Sequence, residues 1–250
     1  MGAGHKKYIY GFLAVEYLIR VASSSVMEIY LDENRSDARC LRLIELSQQY
    51  KIKVSYVDQL VLRDIVPEAS HQGVVALTDT NLTLMNQGQL MQRCGDFELI
   101  LALDGVTDPR NLGAILRTAC GLGVDAVIAP KDKSCGLTDV VEKTASGAAS
   151  IIPYVQVTNL SRSLRELKGE GFWIVGTDGN ADQTISDLDL RGKSILVFGS
   201  EGAGMRRLTR ETCDFLARVP MAGTSMIDSF NVSVAVGICL YEANRQRKCV

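Results

Sequence analysis

The sequence predicts an α/β protein, a small N-terminal α/β domain followed by a larger one built on a parallel sheet. Three observations carry that reading. Short apolar runs alternate with helix-periodic stretches along nearly the whole chain. One run, Leu99-Ile100-Leu101-Ala102-Leu103, is apolar without interruption, as a strand covered on both faces must be. Three loops dense in glycine and polar residues follow apolar runs, where open parallel sheets hold their ligands. The 250 residues suffice for two domains with buried cores.

The first domain is assigned to 1–79. Within it, 11–20 and 38–50 read as helices, and 26–31, 51–57 and 73–77 as strands. Leu41, Ile44 and Gln48 recur on one face of the second helix. Ile52, Val54 and Tyr56 point one way along their strand, with Lys51, Lys53 and Ser55 the other way. The stretch 80–97 is rich in Asn, Gln and Gly and reads as an interdomain linker with room for one short helix. In the second domain, 98–250, strands are expected at 99–103, 126–129, 151–155, 172–176, 195–198 and 215–219. Leu112, Ile115, Leu116 and Ala119 repeat at helical spacing, and Leu160, Leu164 and Leu167 do so after an Asn159 cap. A last helix over 232–244 is apolar nearly all round at its start and is expected to be buried.

Composition removes several functional classes. Lys and Arg number 27 against 29 Asp and Glu, a net charge of -2, which excludes a strongly basic nucleic-acid coat but leaves room for a local basic face. No apolar run approaches the ~18–20 residues of a membrane span, so no membrane partner is expected. The first seven residues lack the apolar core of a secretory signal. Seven scattered cysteines with no Cys-x-x-Cys pair fit reduced thiols and a cytoplasmic location. With only His5 and His71, zinc-ligand spacing is missing, no metal is expected, and a Ser-His-Asp hydrolase is poorly supported. Gly199 to Gly204 spells Gly-x-x-Gly-x-Gly rather than the dinucleotide fingerprint. Asp187 stands where a P-loop ending in Gly192-Lys193-Ser194 would need glycine.

The three polar loops hold the candidate chemistry. The first runs from Asp104 through Asn111 and Gly113 into a helix carrying Arg117. Asn111 is placed to cap that helix, Gly113 to admit a neighbouring backbone, and Arg117 lies almost two turns on. The second is Gly199-Ser200-Glu201-Gly202-Ala203-Gly204. The third starts at Pro220-Met221 and ends at Ser229-Phe230-Asn231. From the residues alone, tight turns, helix caps and surface charges remain as open as ligand contacts.

Taken together, Asn111-x-Gly113-x-x-x-Arg117, Phe198-Gly199-Ser200-Glu201-Gly202-Ala203-Gly204-Met205 and Ser229-Phe230-Asn231-Val232-Ser233-Val234-Ala235 resemble the three ordered motifs of the SpoU/TrmH family of RNA ribose 2′-O-methyltransferases. Further strings, His71-Gln72-Gly73-Val74-Val75-Ala76 and Leu103-Asp104-Gly105-Val106-Thr107-Asp108-Pro109 among them, resemble its bacterial 23S ribosomal RNA guanosine branch over nearly the whole chain. The resemblance implies a trefoil-knotted C-terminal domain holding S-adenosyl-methionine, mainly through backbone groups at Gly199, Val219, Met221 and Phe230, with Gly202 and Gly204 shaping the loop. It implies metal-free methyl transfer to a guanosine ribose in the P-site loop. Arg117 would serve as the central catalytic residue, with Asn111, Glu201, Ser229 and Asn231 orienting it and the ribose. It further implies a small N-terminal RNA-binding domain, ribosomal RNA as partner, and a homodimer built through the last helix. The Arg206–Arg210 and Arg245–Lys248 stretches are expected to meet phosphate. Transfer RNA as the substrate, or a non-catalytic RNA-binding protein of the same fold, remain the alternatives. The sequence departs from the family in a longer loop at 224–228 and in Phe230, where leucine is usual.

Overall fold

In a computed structural model, which describes residues 7–67, 71–78, 85–222 and 229–248, each apolar run read as a strand forms one, with shifted ends. Two sheets result, in two units: 1–83 with 146–151, and 84–145 with 152–250. The first unit contains β1 (Lys7–Tyr10), α1 (Phe12–Ala22), β2 (Val26–Asp32), α2 (Ala38–Gln49), β3 (Val54–Val57), α3 (Gln59–Ile65) and β4 (Val74–Thr78). Its sheet order is β1-β4-β2-β3, with β4 antiparallel to both neighbours and β3 parallel to β2. Asp37 caps α2 and Asp58 caps α3 by accepting backbone N–H groups of their first turns.

Two apolar patterns of this unit are less buried than their residue types suggest. The buried face of α2 is Cys40, Leu43, Leu46 and Ser47, while Leu41 is 57% exposed. A small thiol and a hydroxyl that donates to the Leu43 carbonyl fill places where larger apolar residues were sought. Tyr56 is also exposed, because β3 is an edge strand and its apolar face is not fully covered.

The second unit runs α4 (Gln87–Arg93), β5 (Leu99–Asp104), α5 (Pro109–Gly121), β6 (Ala126–Pro130), α6 (Asp139–Ala145), β7 (Tyr154–Val157), α7 (Leu160–Gly169), β8 (Trp173–Thr177), β9 (Gln183–Thr184), β10 (Ser194–Gly199), α8 (Arg207–Thr212), β11 (Phe215–Arg218) and α9 (Val232–Lys248). Seven strands lie in the order β7-β6-β5-β10-β8-β11-β9, all pairs parallel. Leu112, Ile115, Leu116 and Ala119 are buried as the α5 spacing requires, and Asn159 caps α7 over buried Leu160, Leu164 and Leu167.

The stretch read as linker is folded over its described part. Met85, Leu90, Cys94 and Phe97 join one core with Ile100, Ala102, Ile128 and Val197. Residues 79–84 lie outside the described ones. The strand expected at 151–155 begins at Tyr154, after a 3-10 turn over Ala148–Ser150. The last helix is not buried all round. Val232, Val236, Cys239, Leu240 and Ala243 face the core, while Val234 and Tyr241 are 49% and 63% exposed. Of the residues that the sequence offers for a dimer face, Val232, Ala235, Val236, Cys239 and Leu240, all but the half-buried Ala235 are buried within the unit.

Candidate functional site

The parallel register brings the ends of β5 and β10 side by side, with Asp104 paired to Gly199. Both strands end in turns. After β10, Ser200 and Gly204 exchange backbone hydrogen bonds of 3.1 and 3.0 Å, closing a loop in which Gly202 and Gly204 adopt φ of +85° and +67°. A Cβ on Gly199 would lie 2.1 Å from the Gly204 carbonyl carbon, so that position admits no side chain. After β5, Gly105 (φ +92°) passes close to Ser200.

Asp104, 1% exposed, ties the two loops together. Its carboxylate accepts the Arg206 backbone N–H at 2.8 Å and lies 3.5 Å from the Arg206 Nε. No sequence pattern assigns Asp104 a role of its own. The available signal was a carboxylate ending an apolar strand, a position that demands a partner.

Asp108, not Asn111, caps α5, with Pro109 in the first helical turn. Asn111 is thereby released for a tertiary contact. Its Nδ2 donates to Glu201 Oε1 at 3.1 Å, and Asn231 Nδ2 donates to both Asn111 Oδ1 (3.1 Å) and Glu201 Oε1 (2.7 Å). Glu201 Oε1 also accepts the Val232 backbone N–H at 3.3 Å, while Asn231 Oδ1 accepts from Ser233 N and Oγ at 2.9 and 2.6 Å. A carboxylate and an Asx cap thus satisfy donors that the start of α9 leaves open, where the helix dipole favours negative charge. One polar residue from each of the three loops meets at this point.

Gly113 works as expected: a Cβ there would fall 2.5 Å from Thr144 Cβ and 3.0 Å from the Val141 carbonyl oxygen, so glycine lets α6 lie against α5. Arg117 is exposed on α5, six residues beyond Asn111. Ser229 and Phe230 are exposed just ahead of α9. Val219 is half-buried and Met221 exposed beyond the end of β11. Since β8 separates β10 from β11, the two strand ends stand about 10 Å apart, the width of two strand spacings. The longer loop at 224–228 lies outside the described residues.

The two basic stretches are engaged internally. Arg206 pairs with Asp104, Arg207 with Glu211, Arg210 with Asp178 and Arg245 with Glu242, while Arg247 donates to the Leu190, Gly192 and Glu98 carbonyls. Burial pushes the Cys213 and Cys239 thiols up to about 12, which leaves neither as a nucleophile at neutral pH.

Residues 98–241 match the SpoU rRNA Methylase family, and residues 8–82 match the RNA 2′-O ribose methyltransferase substrate-binding family. The chain is 52% identical over 241 residues to the 23S rRNA (guanosine-2′-O-)-methyltransferase RlmB of Pseudomonas aeruginosa, covering 96% of each protein. It is 47% identical to the enzyme of the same name from Ralstonia nicotianae, over 98% of this chain and 97% of that one. Among solved structures it resembles an RNA 2′-O ribose methyltransferase (TM-score 0.65, 25% identity, 98% of this chain and 90% of the other). It also resembles the AdoMet complex of the methyltransferase AviRb from Streptomyces viridochromogenes (TM-score 0.66, 23% identity, 98% and 92%). With one polar residue from each loop converging beside the glycine turn, and with these matches over both units, the chain belongs to the SpoU rRNA methylase family.

Proposed function

We propose that this protein transfers a methyl group from S-adenosyl-methionine to the ribose 2′-oxygen of a guanosine in the P-site loop of 23S ribosomal RNA. The observation that carries the proposal is the meeting of Asn111, Glu201 and Asn231 next to the Gly199–Gly204 turn. The residues present fit the methyl donor. Gly202 and Gly204 have nothing within 4 Å of where a Cβ would stand, so the turn offers open backbone, and Val219, Met221 and Phe230 supply apolar surface. When bound, the donor supplies an electrophilic methyl on sulfur. No metal takes part.

The chain's own residues do the rest. Gly199 keeps the turn closed, and Gly202 and Gly204 let the donor approach the backbone. The Asn111–Glu201–Asn231 group fixes α5 and α9 to the turn. Arg117 binds the target phosphate through its planar fork and polarises the 2′-hydroxyl, while Ser229 borders the ribose. A guanidinium only donates hydrogen bonds, so the hydroxyl proton leaves to phosphate or water while in-line positioning does the remainder. The 2′-hydroxyl marks the substrate as RNA.

In this reading, the strand order that inserts β10 between β5 and β8, with α9 packed back against α5, is the crossover of a trefoil knot. The first unit binds RNA, the enzyme works in the cytoplasm, and two copies pair through the outer face of α9. Methyl transfer from labelled donor to 23S ribosomal RNA and to transfer RNA, followed by mapping of the modified nucleotide, tests the proposal. A 2′-O-methylguanosine in the P-site loop is expected; modification of transfer RNA alone, or of a base nitrogen, would overturn the substrate or the chemistry.

A further inference from the structure

Away from the three loops, the first unit carries a polar depression of about 380 Å³, and its lining includes Asp32, Arg35, Arg63, His71 and Gln72. The turn that forms its wall is strained. Gln72 and Gly73 are left-handed in succession, with φ of +54° and +87°, a conformation that disfavours glutamine. The strain is matched by contacts. A Cβ on Gly73 would stand 2.8 Å from Arg35 Cδ, so the Arg35 side chain crosses directly over the glycine. Its guanidinium lies 4.8 Å from the centre of the Phe12 ring, donates through Nε to Asp37 at 2.8 Å, and hydrogen-bonds the Gln72 carbonyl. Arg35 is therefore held rigidly in place.

His71 is 7% exposed, and its Nδ1 accepts the Gly73 backbone N–H at 3.1 Å. That bond places the ring proton on Nε2. Burial and the charge of Arg63 hold the imidazole below its usual range, so the ring stays neutral. Among the described residues Nε2 meets no partner, and Arg63, exposed at the rim, makes no ion pair. The ring N–H of a histidine only 7% exposed thus lines a depression that also holds a fixed guanidinium, that of Arg63 and the buried carboxylate of Asp32.

We infer that this depression receives one splayed-out nucleotide of the RNA substrate, with phosphate at Arg63 and the base edge meeting His71 Nε2–H, Gln72 and Asp32. The inference rests on the RNA-methylation reading above. At about 380 Å³ the depression is open to solvent and has room for more than a bare phosphate. Asp32 repels a free anion but accepts from a base amino or imino group. Unpaired, splayed bases are how proteins read RNA.

Binding of a 23S RNA fragment, followed by fluorescence anisotropy across salt concentrations, tests it independently of turnover. Arg63→Gln should weaken binding about tenfold, the scale of one charge-assisted hydrogen bond. It should also lower the salt dependence by the share of roughly one phosphate contact. His71→Asn keeps an acceptor for the Gly73 N–H but removes the Nε2 donor, and should weaken binding with little change in salt slope. A thermal melt checks that each variant is folded. In methylation assays both losses should show in KM for RNA, with the affinity for S-adenosyl-methionine unchanged. Arg39→Gln, an exposed cation outside the depression, should leave RNA affinity as it was. RNA affinity unchanged in folded Arg63→Gln and His71→Asn, or lowered equally by Arg39→Gln, would overturn the inference even if ribosomal RNA is methylated. RNA binding sensitive to these positions without any methylation would instead overturn the reaction and leave the depression standing.

Discussion

Arg117 stands exposed on α5, while the glycines of the Gly199–Gly204 turn, proposed to receive the donor, follow a different strand. Replacing it should therefore affect chemistry and spare donor binding. Arg117→Ala is expected to lower single-turnover methylation ~10²-fold or more, the scale of a positioned proton-transfer group. Calorimetry should show an unchanged S-adenosyl-methionine affinity. Arg117→Lys should recover little, because an ammonium cannot reproduce the planar fork. A near-wild-type rate in Arg117→Ala would remove this residue from the reaction. His71 gives a second prediction at this scale. Its pKa is held below 6.5 first by burial and then by Arg63, against an opposing pull from Asp32. As pH falls, the unfolded chain takes up that proton before the folded one does. The stability supplied by the neutral ring is thus fully present above about 6.5 and lost on acidification towards the lower folded value. The melting temperature of the wild type should fall more steeply between pH 7 and 5 than that of His71→Asn. Parallel slopes would show that the ring contributes nothing.

Among the elements, the β10 turn gives a prediction that separates two uses of glycine. Gly199 has no room for a side chain, since the clash at 2.1 Å is with backbone that cannot rotate away. Gly202 and Gly204 have room but positive φ, which costs a side chain about 1–2 kcal/mol. Gly199→Ala should therefore abolish donor binding, whereas Gly202→Ala and Gly204→Ala should weaken it by graded amounts; equal effects in a titration would show that the turn rearranges freely. The elements also show what the sequence made legible. α5 and α7 were readable because leucine or isoleucine recurs at helical spacing on their buried faces. α2 was misread because Cys40 and Ser47 fill its inner face while Leu41 points outward. The Asp108 cap was hidden behind Asn111, a residue equally suited to capping. Asn111, Glu201 and Asn231 became candidates through family resemblance, as no local pattern reports contacts spanning 90 and 120 residues. The pairing of Arg206 and Arg210 was not legible because their acidic partners, Asp104 and Asp178, are remote in sequence.

At the scale of the whole molecule, α9 presents Val234 and Tyr241 to solvent on one side, in line with half-buried Ile238 between them. These residues, rather than the buried Val232, Val236, Cys239 and Leu240, are the surface on which a second copy would pair. Light scattering should report a dimer, and Val234→Glu together with Tyr241→Glu should convert it to monomer without unfolding it. A double variant that remains dimeric would move the interface elsewhere. The Glu201 contact has a further consequence, and it concerns time. The three side chains that meet there belong to segments far apart along the chain, and distant closures are slow compared with the growth of single helices. On dilution from denaturant, the helical signal should therefore return before donor binding does; simultaneous recovery in stopped-flow would contradict this. Competence to methylate is then the last property a refolding chain acquires, and the first to go when α9 frays at its N-terminus.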